Sequence, residues 1–492
     1  MRYCPAFREV HAMSSKQGFN PYLPSWEYIP DGEPHVFGDR VYLYGSHDRF
    51  NGYAFCLNDY VCYSAPAGDL TDWRCEGVIY TRADDPRNVD GDQCLYAPDV
   101  CQGADGRYYL YYVLDASPFV SVAVCDTPAG RYQFYGYVRD KEGGILGERA
   151  QDEPMFDPAV LFEDGVVYLY GGFCPQTESL FDGHSGAMLT VLESDMLTIR
   201  REPHFVLPSV QKSDGSGYEG HEYFEGPSIR RKGDTYYLLY SSIRQHELCY
   251  ATAASPLGPF SFRGTVVSNV DEGISTYKEP RRQVNFPENN HGGIVQAGDA
   301  WYVFYHRHTN GNNLSRQGCL EPIRILENGS IEQVEITSCG PNGGPLRGSG
   351  TYPAYIACNL VSDVKDPVGL GVPGKKLDAR YPFITQDGKD GDELQGYVAN
   401  MDPGTAAGYK FFDCRDTCVT AVVTRGWSYG EIEILTSIDG ESLGSIPIGK
   451  SNEWKEWKGC VRIPDGVQAL YFRFKGRGCA SLYSFTLDQN IQ

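Results

Sequence analysis

Five copies of one unit, spread along the first two thirds of the chain, constrain the fold more than any other feature. Each copy is a polar turn with adjacent Gly and Asp, followed by a strand dense in tyrosine. The copies align on Tyr42, Tyr109, Tyr168, Tyr237 and Tyr302, at intervals of 59 to 69 residues. Each interval has room for about four short strands, which predicts five blades of a β-propeller. The alternative is five unrelated hairpins in a sandwich.

Each tyrosine-rich strand is preceded by a second apolar segment that begins with acidic, Pro, Asn or His residues. In a propeller, the first strand of each blade lines the central channel, and proline suits a strand start because its missing N–H costs nothing there. Acids nearly 200 residues apart are therefore expected to face one pocket. These segments span residues 31–37, 96–100, 156–162, 224–229 and 289–295.

The repeated pattern of the sequence ends near residue 340. With 492 residues, 56 Gly and 30 Pro, the chain is long enough for two turn-rich, all-β domains. A Gly/Pro-rich stretch covers residues 338–350, and shorter strands without the repeated unit follow from about residue 370. We therefore predict a five-bladed propeller over residues 1–345, a linker over 346–369 and a β-sandwich over 370–492.

Charge and composition limit the classes of molecule that this protein is expected to bind. The net charge of −21 argues against nucleic acid and against anionic membrane surfaces, and no apolar run is long enough for a membrane helix. The 36 tyrosines suit sugar binding, since ring faces stack on sugars. The first residues lack the apolar core of a secretory signal, and the 16 cysteines have no regular spacing, so we expect reduced thiols and a cytoplasmic location. Oligomeric state stays open.

Three acids stand at strand starts in three different repeats: Asp31, Asp157 and Glu225. Glu225 lies between an aromatic residue and a glycine, where burial would raise its pKa and let it donate a proton near neutrality. A base, an acid and a charge that tunes one of them are what hydrolysis of a glycosidic bond requires. The alternatives are solvated turn residues, or a non-catalytic sugar-binding propeller.

Segments of five successive repeats, in order, resemble glycoside hydrolase family 43. The resemblance covers about residues 18–345 and implies an inverting enzyme that removes terminal α-L-arabinofuranosyl or β-D-xylosyl units from plant-derived oligosaccharides. A galactofuranosidase of the same fold is the alternative. The matching segments are 31–48, 95–100, 156–160, 224–227 and 290–293.

The resemblance also implies roles for the three acids. Asp31 matches the general base, Glu225 the general acid, and Asp157 the residue that orients Glu225 and raises its pKa. The family's base directly precedes a proline, whereas Asp31 is followed by Gly32-Glu33-Pro34. Glu33 is therefore the alternative base.

Four further residues take expected roles from the same resemblance. His291 matches a histidine that binds calcium, or the water around it, near the propeller axis; its alternative is a structural histidine, and the chemistry itself requires no cofactor. Arg307 matches an arginine that contacts sugar, or else forms a salt bridge at a blade edge. His47 is expected to bond a sugar hydroxyl or to pack. Asp99 is expected to bind substrate or a core backbone amide.

The C-terminal region resembles carbohydrate-binding module family 6, through residues 407–411, 452–457 and 469–474. Binding members of that family place an asparagine over the sugar near the end of the module, whereas this chain has Gly-Cys-Ala-Ser-Leu-Tyr at 478–483. The module is therefore expected either to bind sugar, or to buttress the propeller and shape the pocket rim. Trp454 and Trp457 are expected to stack on sugar or to pack in the core.

Overall fold

The computed structural model describes residues 16–115, 117–153, 155–175, 184–362 and 381–489, and it is built almost entirely of β-strands. Five antiparallel sheets form from consecutive strands, four with four strands and the fifth with three. The strands of these sheets are β1 (Glu33–Phe37), β2 (Arg40–Tyr44), β3 (Tyr60–Pro66), β4 (Arg74–Tyr80), β5 (Asp99–Gln102), β6 (Tyr108–Tyr112), β7 (Ser121–Cys125), β8 (Gln133–Tyr137), β9 (Ala159–Glu163), β10 (Val166–Gly171), β11 (Gly186–Leu192), β12 (Ile199–Pro208), β13 (Tyr223–Lys232), β14 (Thr235–Ser242), β15 (Glu247–Ala253), β16 (Ser261–Ser268), β17 (Ile294–Ala297), β18 (Ala300–His308) and β19 (Arg316–Ile323).

The five sheets are the blades of a closed propeller, numbered I to V in chain order. The first strands of the blades contact one another around a ring, in the order β1, β5, β9, β13, β17 and back to β1. The aligned tyrosines all fall in the second strands, β2, β6, β10, β14 and β18. The propeller predicted from the repeat is therefore confirmed.

The glycine of each repeat makes the turn between the first and second strands. Gly38, Gly106, Gly165, Gly233 and Gly298 all have φ between 59° and 81°. Only glycine takes this left-handed conformation without steric cost, and tight hairpin turns require it. The repeat is thus visible in the sequence because each blade needs the same turn.

Blade V differs from the others because it has three strands. The start of the described chain lies along its outer side: the backbone N–H of Tyr22 donates to the carbonyl of Gly318 at 3.3 Å, and that of Asn20 donates to Ser338 at 2.9 Å. The Asn20 side chain also donates to Leu320 at 2.8 Å. The N-terminal segment thus closes the ring.

The hydrophobic core of the propeller is divided among the spaces between neighbouring blades. One buried cluster joins Val41 and Leu43 of blade I to Val295 and Phe304 of blade V. Equivalent clusters join blades I and II, II and III, and III and IV. Burial of these apolar faces fixes each blade against the next and holds their first strands around the axis.

The remaining strands form a sandwich of two six-stranded sheets. In one sheet β25, β30, β27 and β28 are neighbours, with β20 and β22 both on β25; in the other β23, β24, β31, β26 and β29 are neighbours, with β21 on β31. The strands are β20 (Leu346–Arg347), β21 (Gly350–Pro353), β22 (Asn359–Ser362), β23 (Phe383–Thr385), β24 (Tyr397–Met401), β25 (Thr405–Cys414), β26 (Thr417–Gly426), β27 (Ser428–Leu435), β28 (Gly444–Ile448), β29 (Ser451–Arg462), β30 (Gly466–Gly478) and β31 (Ala480–Gln489).

The stretch expected to be a linker, residues 346–369, is corrected over its described part. β20, β21 and β22 lie within residues 346–362 and pair with β25 and β31, so this part belongs to the sandwich. Its Gly and Pro residues led to the linker prediction, but they separate short strands whose backbone groups find partners in the sheets. The rest of the expected linker, 363–369, lies outside the described residues.

The sandwich is joined to the propeller through buried polar contacts. Lys410 of β25 is fully buried, with Nζ 3.1 Å from Asp271 and 2.9 Å from Glu335, and it lies 3.8 Å from the ring centre of Tyr277. A buried ammonium group is tolerated only when negative charges and hydrogen-bond acceptors of this kind surround it. The two domains therefore share one interior at this point. Among the described residues, no helix is long and apolar enough to span a membrane.

Both tryptophans singled out in the sequence are half-buried on the sandwich. The Trp454 ring lies 5.0 Å from Tyr397 and 4.8 Å from Tyr483, measured between ring centres. The indole N–H of Trp457 donates to the Thr424 hydroxyl at 2.9 Å. Trp457 packs at the edge of the sandwich core, whereas Trp454 belongs to a small aromatic cluster on the outer side.

Candidate active site

Local backbone geometry turns the three predicted acids out of their strands. Asp31 and Asp157, just before β1 and β9, have left-handed φ values of 56° and 49°. Glu225 lies in β13 between two shifts of register and is followed by Gly226 with φ of 62°. Bulges and left-handed residues re-aim side chains at the ends of strands, and they concentrate at functional sites.

The acids meet around the imidazole of His291. Its Nδ1 lies 3.8 Å from Oδ1 of Asp31 and 3.7 Å from Oδ2 of Asp157. The ring is packed so tightly on Gly226, the neighbour of Glu225, that a Cβ at residue 226 would come within 2.8 Å of it. Blades I, III and IV thus contribute one acid each to the same place, as the repeat predicted.

Asp31 is held in its charged form. It is 4% exposed, and burial alone would raise its pKa, but the Arg316 guanidinium 3.0 Å from Oδ1 lowers the pKa well below the usual range. His306 stays neutral because burial lowers its pKa. Its Nε2–H donates to the Asn289 carbonyl at 2.9 Å, and its Nδ1 accepts the backbone N–H of Asp31 at 3.2 Å.

Glu225 has the opposite environment. Burial raises its pKa to about 7, and the nearby charge of Asp31 adds to this effect. The Asn289 amide, 3.4 Å from Oε1, opposes it. His308 fixes that amide, because its Nε2–H donates to the Asn289 side-chain oxygen at 2.8 Å. Glu225 is therefore partly protonated at neutral pH.

Asp157 forms its ion pair, among the described residues, with the His291 ring at 3.7 Å rather than with a guanidinium. Burial raises its pKa well above the usual range, the charge of His291 opposes this, and the neighbouring Glu225 raises the pKa further. The expected repulsion between Asp157 and Glu225 is thus seen most clearly at Asp157. For Glu225 itself, burial is the larger cause.

Glu33, the alternative base, is engaged elsewhere. Its Oε2 accepts hydrogen bonds from the Ser228 hydroxyl at 2.9 Å and from Arg230 at 2.7 Å. Its Oε1 has no hydrogen-bond partner among the described residues and lies 3.7 Å from Nε2 of His291. Glu33 thus lies on the far side of the imidazole from Asp31, and the geometry favours Asp31 as the base.

The expected sugar contact of Arg307 is corrected. Arg307 is buried, and its guanidinium donates to the backbone carbonyls of Cys358 and Ala357 at 2.9 and 3.1 Å. Successive side chains of a strand point to opposite faces, so the neighbours His306 and His308 face Asn289 while Arg307 faces the sandwich. Arg307 therefore ties blade V to the second domain.

The arginine of the site is Arg316, which sequence reasoning missed. It lies directly opposite His308 in the pairing of β18 with β19 and is almost fully buried. Besides Asp31 it contacts Asp48, through Nε at 2.9 Å and Nη2 at 3.0 Å. Pairing the His306–His308 stretch with the next strand would have been the signal that placed Arg316 beside these histidines.

The expected substrate contact of Asp99 is also corrected. Asp99 is completely buried, with Oδ2 accepting the N–H of Val160 at 2.7 Å and Oδ1 accepting the N–H of Val100 at 2.8 Å. His35 lies 2.6 Å from the same Oδ1. Oδ2 therefore joins blade II to blade III, whereas Oδ1 contacts His35 of blade I; binding a core backbone amide is the second of the two roles considered for this residue.

His47 is half-buried in the long connection between β2 and β3. Its Nδ1 donates to the Asp59 carbonyl at 2.9 Å, and its Nε2 lies 3.7 Å from Glu27. These contacts account for its orientation but do not involve the three acids. Its sugar contact stays a prediction.

A row of half-buried aromatic rings borders the acids on blades II to IV. Ring centres of Tyr96 and Phe156 are 5.4 Å apart, those of Phe156 and Phe173 are 5.0 Å apart, and those of Phe173 and Phe224 are 5.4 Å apart. Phe156 and Phe224 directly precede Asp157 and Glu225. This aromatic row, formed by Tyr96, Phe156, Phe173 and Phe224, therefore adjoins the proton-donating side of the site.

The arrangement suits acid–base chemistry. One carboxyl group is ionised beside a guanidinium, and burial raises the pKa of another to about 7, at the place where the first strands of the blades meet. Separating two carboxyl groups by their environments assigns one as base and the other as acid.

Comparison with known proteins agrees with this chemistry. Residues 28–331 match the family model for glycosyl hydrolases family 43. A xylosidase/arabinosidase from Thermoclostridium stercorarium is 59% identical over 472 residues, which cover 96% of this chain and 99% of that protein. An arabinoxylan arabinofuranohydrolase from Bacillus subtilis is 23% identical over 93% of this chain and 89% of its own length.

A likeness in fold extends over both domains. The crystal structure of a family 43 arabinoxylan arabinofuranohydrolase from Bacillus subtilis, in complex with cellotetraose, superposes with a TM-score of 0.50 at 20% identity. The match covers 96% of this chain and 97% of that one. With the family model over more than half of the chain and a relative at 59% identity, the protein belongs to glycosyl hydrolases family 43 and is a glycoside hydrolase.

Proposed function

We propose that this enzyme removes terminal α-L-arabinofuranosyl or β-D-xylosyl units from plant-derived oligosaccharides, with inversion of configuration. The observation that carries the proposal is that Asp31 and Glu225 lie around one imidazole in surroundings that lower the pKa of Asp31 and raise that of Glu225. The names of the relatives, xylosidase/arabinosidase and arabinoxylan arabinofuranohydrolase, support this choice of sugars.

In the proposed reaction Asp31 takes a proton from water, whose oxygen attacks the anomeric carbon. The bond from that carbon to the glycosidic oxygen breaks as Glu225 transfers its proton to the departing oxygen. Attack on the face opposite the leaving group inverts the anomeric configuration. Burial keeps the proton on Glu225 near neutral pH, Asp157 is expected to orient it, and no cofactor is needed in these steps.

The leaving group of the substrate lies on the side of the site where Glu225 is found. Because the proton donor must touch the departing oxygen, the rest of the oligosaccharide must extend from Glu225. The aromatic row begins there, and its ring faces suit the apolar faces of sugar rings. We therefore infer that the second sugar of the substrate contacts this row.

Calcium near the axis fits the residues present. Nε2 of His291 and Oε1 of Glu33 are buried, face each other 3.7 Å apart and have no hydrogen-bond partner among the described residues. Burial lowers the pKa of His291, but the carboxyl groups of Glu33, Asp157 and Asp31 raise it to about 9, so a cation there would have to displace the ring proton. His291 and Glu33 would then hold the cation with water completing its shell, and it would supply positive charge beside the acids. The neighbouring group of Glu33, His35 and Asp99 is less suitable, because Nη2 of Arg230 already lies 2.7 Å from Oε2 of Glu33 and 3.2 Å from Nε2 of His35.

We also propose a cytoplasmic location. All fifteen cysteines that the structure describes are free thiols, most of them buried, which is the usual state in a reducing compartment.

A panel of p-nitrophenyl glycosides tests the function, with and without a chelator. We expect release of nitrophenol from the α-L-arabinofuranoside or the β-D-xyloside, and NMR should show the inverted sugar as the first product. Hydrolysis of the galactofuranoside alone would assign a different sugar. Binding of arabino- and xylo-oligosaccharides without any released monosaccharide would contradict the proposal. A lower melting temperature with chelator would support the cation.

A further inference from the structure

A segment of the sandwich, residues 383–396, reaches over the propeller beside the candidate active site; we name it the capping segment. The N–H of Ile384 donates to the carbonyl of Thr309, in the β18–β19 connection, at 2.7 Å. The Tyr28 hydroxyl donates to the side-chain oxygen of Gln386 at 3.2 Å. The capping segment is therefore fixed against blade V and against the chain that leads into blade I.

Asp390 is the residue of the capping segment that engages blade I most closely. One oxygen accepts the backbone N–H of Phe50 at 2.7 Å, and the other accepts the side-chain amide of Asn58 at 3.1 Å. The same Asn58 nitrogen donates to the carbonyl of Asp48 at 3.1 Å. A single carboxyl group from the second domain thus holds both limbs of the β2–β3 connection.

That connection in turn sets the position of Arg316. Oδ2 of Asp48 accepts the backbone N–H and Nε of Arg316 at 3.0 and 2.9 Å, and Oδ1 accepts Nη2 at 3.0 Å. Nη1, the remaining nitrogen, donates to Asp31 at 3.0 Å. Because Asp48 engages one edge of the planar guanidinium, it determines where the other edge points.

We propose that Asp390 is a positioning residue for the reaction: it holds residues 48–58, through Phe50 and Asn58, so that Asp48 keeps Arg316 aimed at Asp31. This rests on the base role proposed for Asp31. Asp390 touches no reacting atom. The β2–β3 connection has no regular structure between residues 45 and 59, so its shape depends on contacts of this kind. The sandwich is thereby part of the catalytic unit.

Asp390→Ala, compared with Asp387→Ala, tests the proposal. Asp387 lies in the same segment but is exposed, and it pairs with Arg425 and Tyr397 of the sandwich itself. We expect Asp390→Ala to lower kcat about tenfold with little change in KM, since a misplaced catalytic group slows chemistry more than binding. The loss should be equal for aryl glycosides and for oligosaccharides, because the acid side is untouched. Asp387→Ala should behave like the parent enzyme.

A conservative variant separates positioning from stability. Asp390→Asn keeps an acceptor for the Phe50 N–H and should recover most of the lost kcat. If Asp390→Ala does not fold, Asn58→Ala removes the same link from the propeller side and should show the same equal loss in kcat. The proposal is overturned if Asp390→Ala matches Asp387→Ala with both substrates, or if the loss appears only in KM.

Asp31→Ala distinguishes failure of this inference from failure of the proposed function. If Asp31→Ala is inactive while Asp390→Ala resembles its control, only the positioning role is wrong. If Asp31→Ala retains the parental rate, the base assignment fails, and the role of Asp390 fails with it.

Discussion

The two sides of the candidate site shift the pKa of a carboxyl group in opposite directions. On the side of blades V and I, Asp31 is paired with a buried guanidinium that Asp48 also holds, and its pKa is lowered. On the side of blades III and IV, Glu225 is enclosed without such a cation, and its pKa is raised to about 7. The difference teaches that a nearby charge and simple burial are sufficient to make a base and an acid from two carboxyl groups.

The largest expected effect comes from removing the charged carboxyl group of Asp31. Asp31→Asn removes the group that takes the proton from water, so kcat/KM should fall by roughly 10⁴-fold, the upper end for general base catalysis. The loss should be the same for p-nitrophenyl glycosides and for oligosaccharides, because both need the same water. Steady-state kinetics with both substrates measures it. A loss confined to oligosaccharides would assign Asp31 to the acid side.

The loss of rate on removing the carboxyl group of Glu225 should depend on the substrate. Glu225→Gln removes the proton donor, so hydrolysis of oligosaccharides should fall by roughly 10³-fold. Aryl glycosides should lose much less, since nitrophenolate departs with little protonation. Comparing the two substrates in the same variant is the measurement. Parental rates with both would show that Glu225 is not the acid.

The pH dependence should report the raised pKa of Glu225. Because the acid must carry its proton, kcat/KM for oligosaccharides should be highest below pH 7 and fall as the pH rises through about 7. A pH profile of the parent enzyme measures this fall. Glu225→Gln, assayed with an aryl glycoside, should lack it. A fall that persists unchanged in the variant would belong to another group.

The smallest expected effect concerns the aromatic row. Phe156→Ala should raise KM for oligosaccharides about fivefold, as expected for the loss of roughly 1 kcal/mol of ring contact. Inhibition by the free monosaccharide, which fills only the terminal-sugar position, serves as the internal control and should be unchanged. An equal weakening of both would place Phe156 beside the terminal sugar instead.

The sequence was most informative where the fold repeats itself. Evenly spaced Gly-Asp turns predicted the blades, and the acids at strand starts predicted a shared pocket, because the topology of a propeller places those starts together. Asp31, Asp157 and Glu225 do meet around His291. Their catalytic roles stay predictions until the variants are measured.

Predictions from the sequence were wrong where a side chain or strand had more than one possible partner. Nothing in the Tyr-His-Arg-His stretch reveals that Arg307 points to the sandwich and that Arg316, on the next strand, enters the site. Asp99 stands at a strand start as the three predicted catalytic acids do, but it accepts the backbone N–H of Val160 on the adjacent blade. Residues 346–362 read as a linker because the partners of their strands lie 43 to 137 residues further on.

The hydrogen bonds that join Asn20 and Tyr22 to blade V affect when the site can assemble during synthesis. The ribosome releases His291 and Arg316 only 260 and 285 residues after Asp31. Until blade V joins the N-terminal segment, Asp31 has neither its counter-charge nor its neighbouring imidazole, and contacts so distant in sequence form slowly. Nascent chains that end before blade V therefore carry an unassembled centre, and hydrolytic competence arises only after blade V has been made.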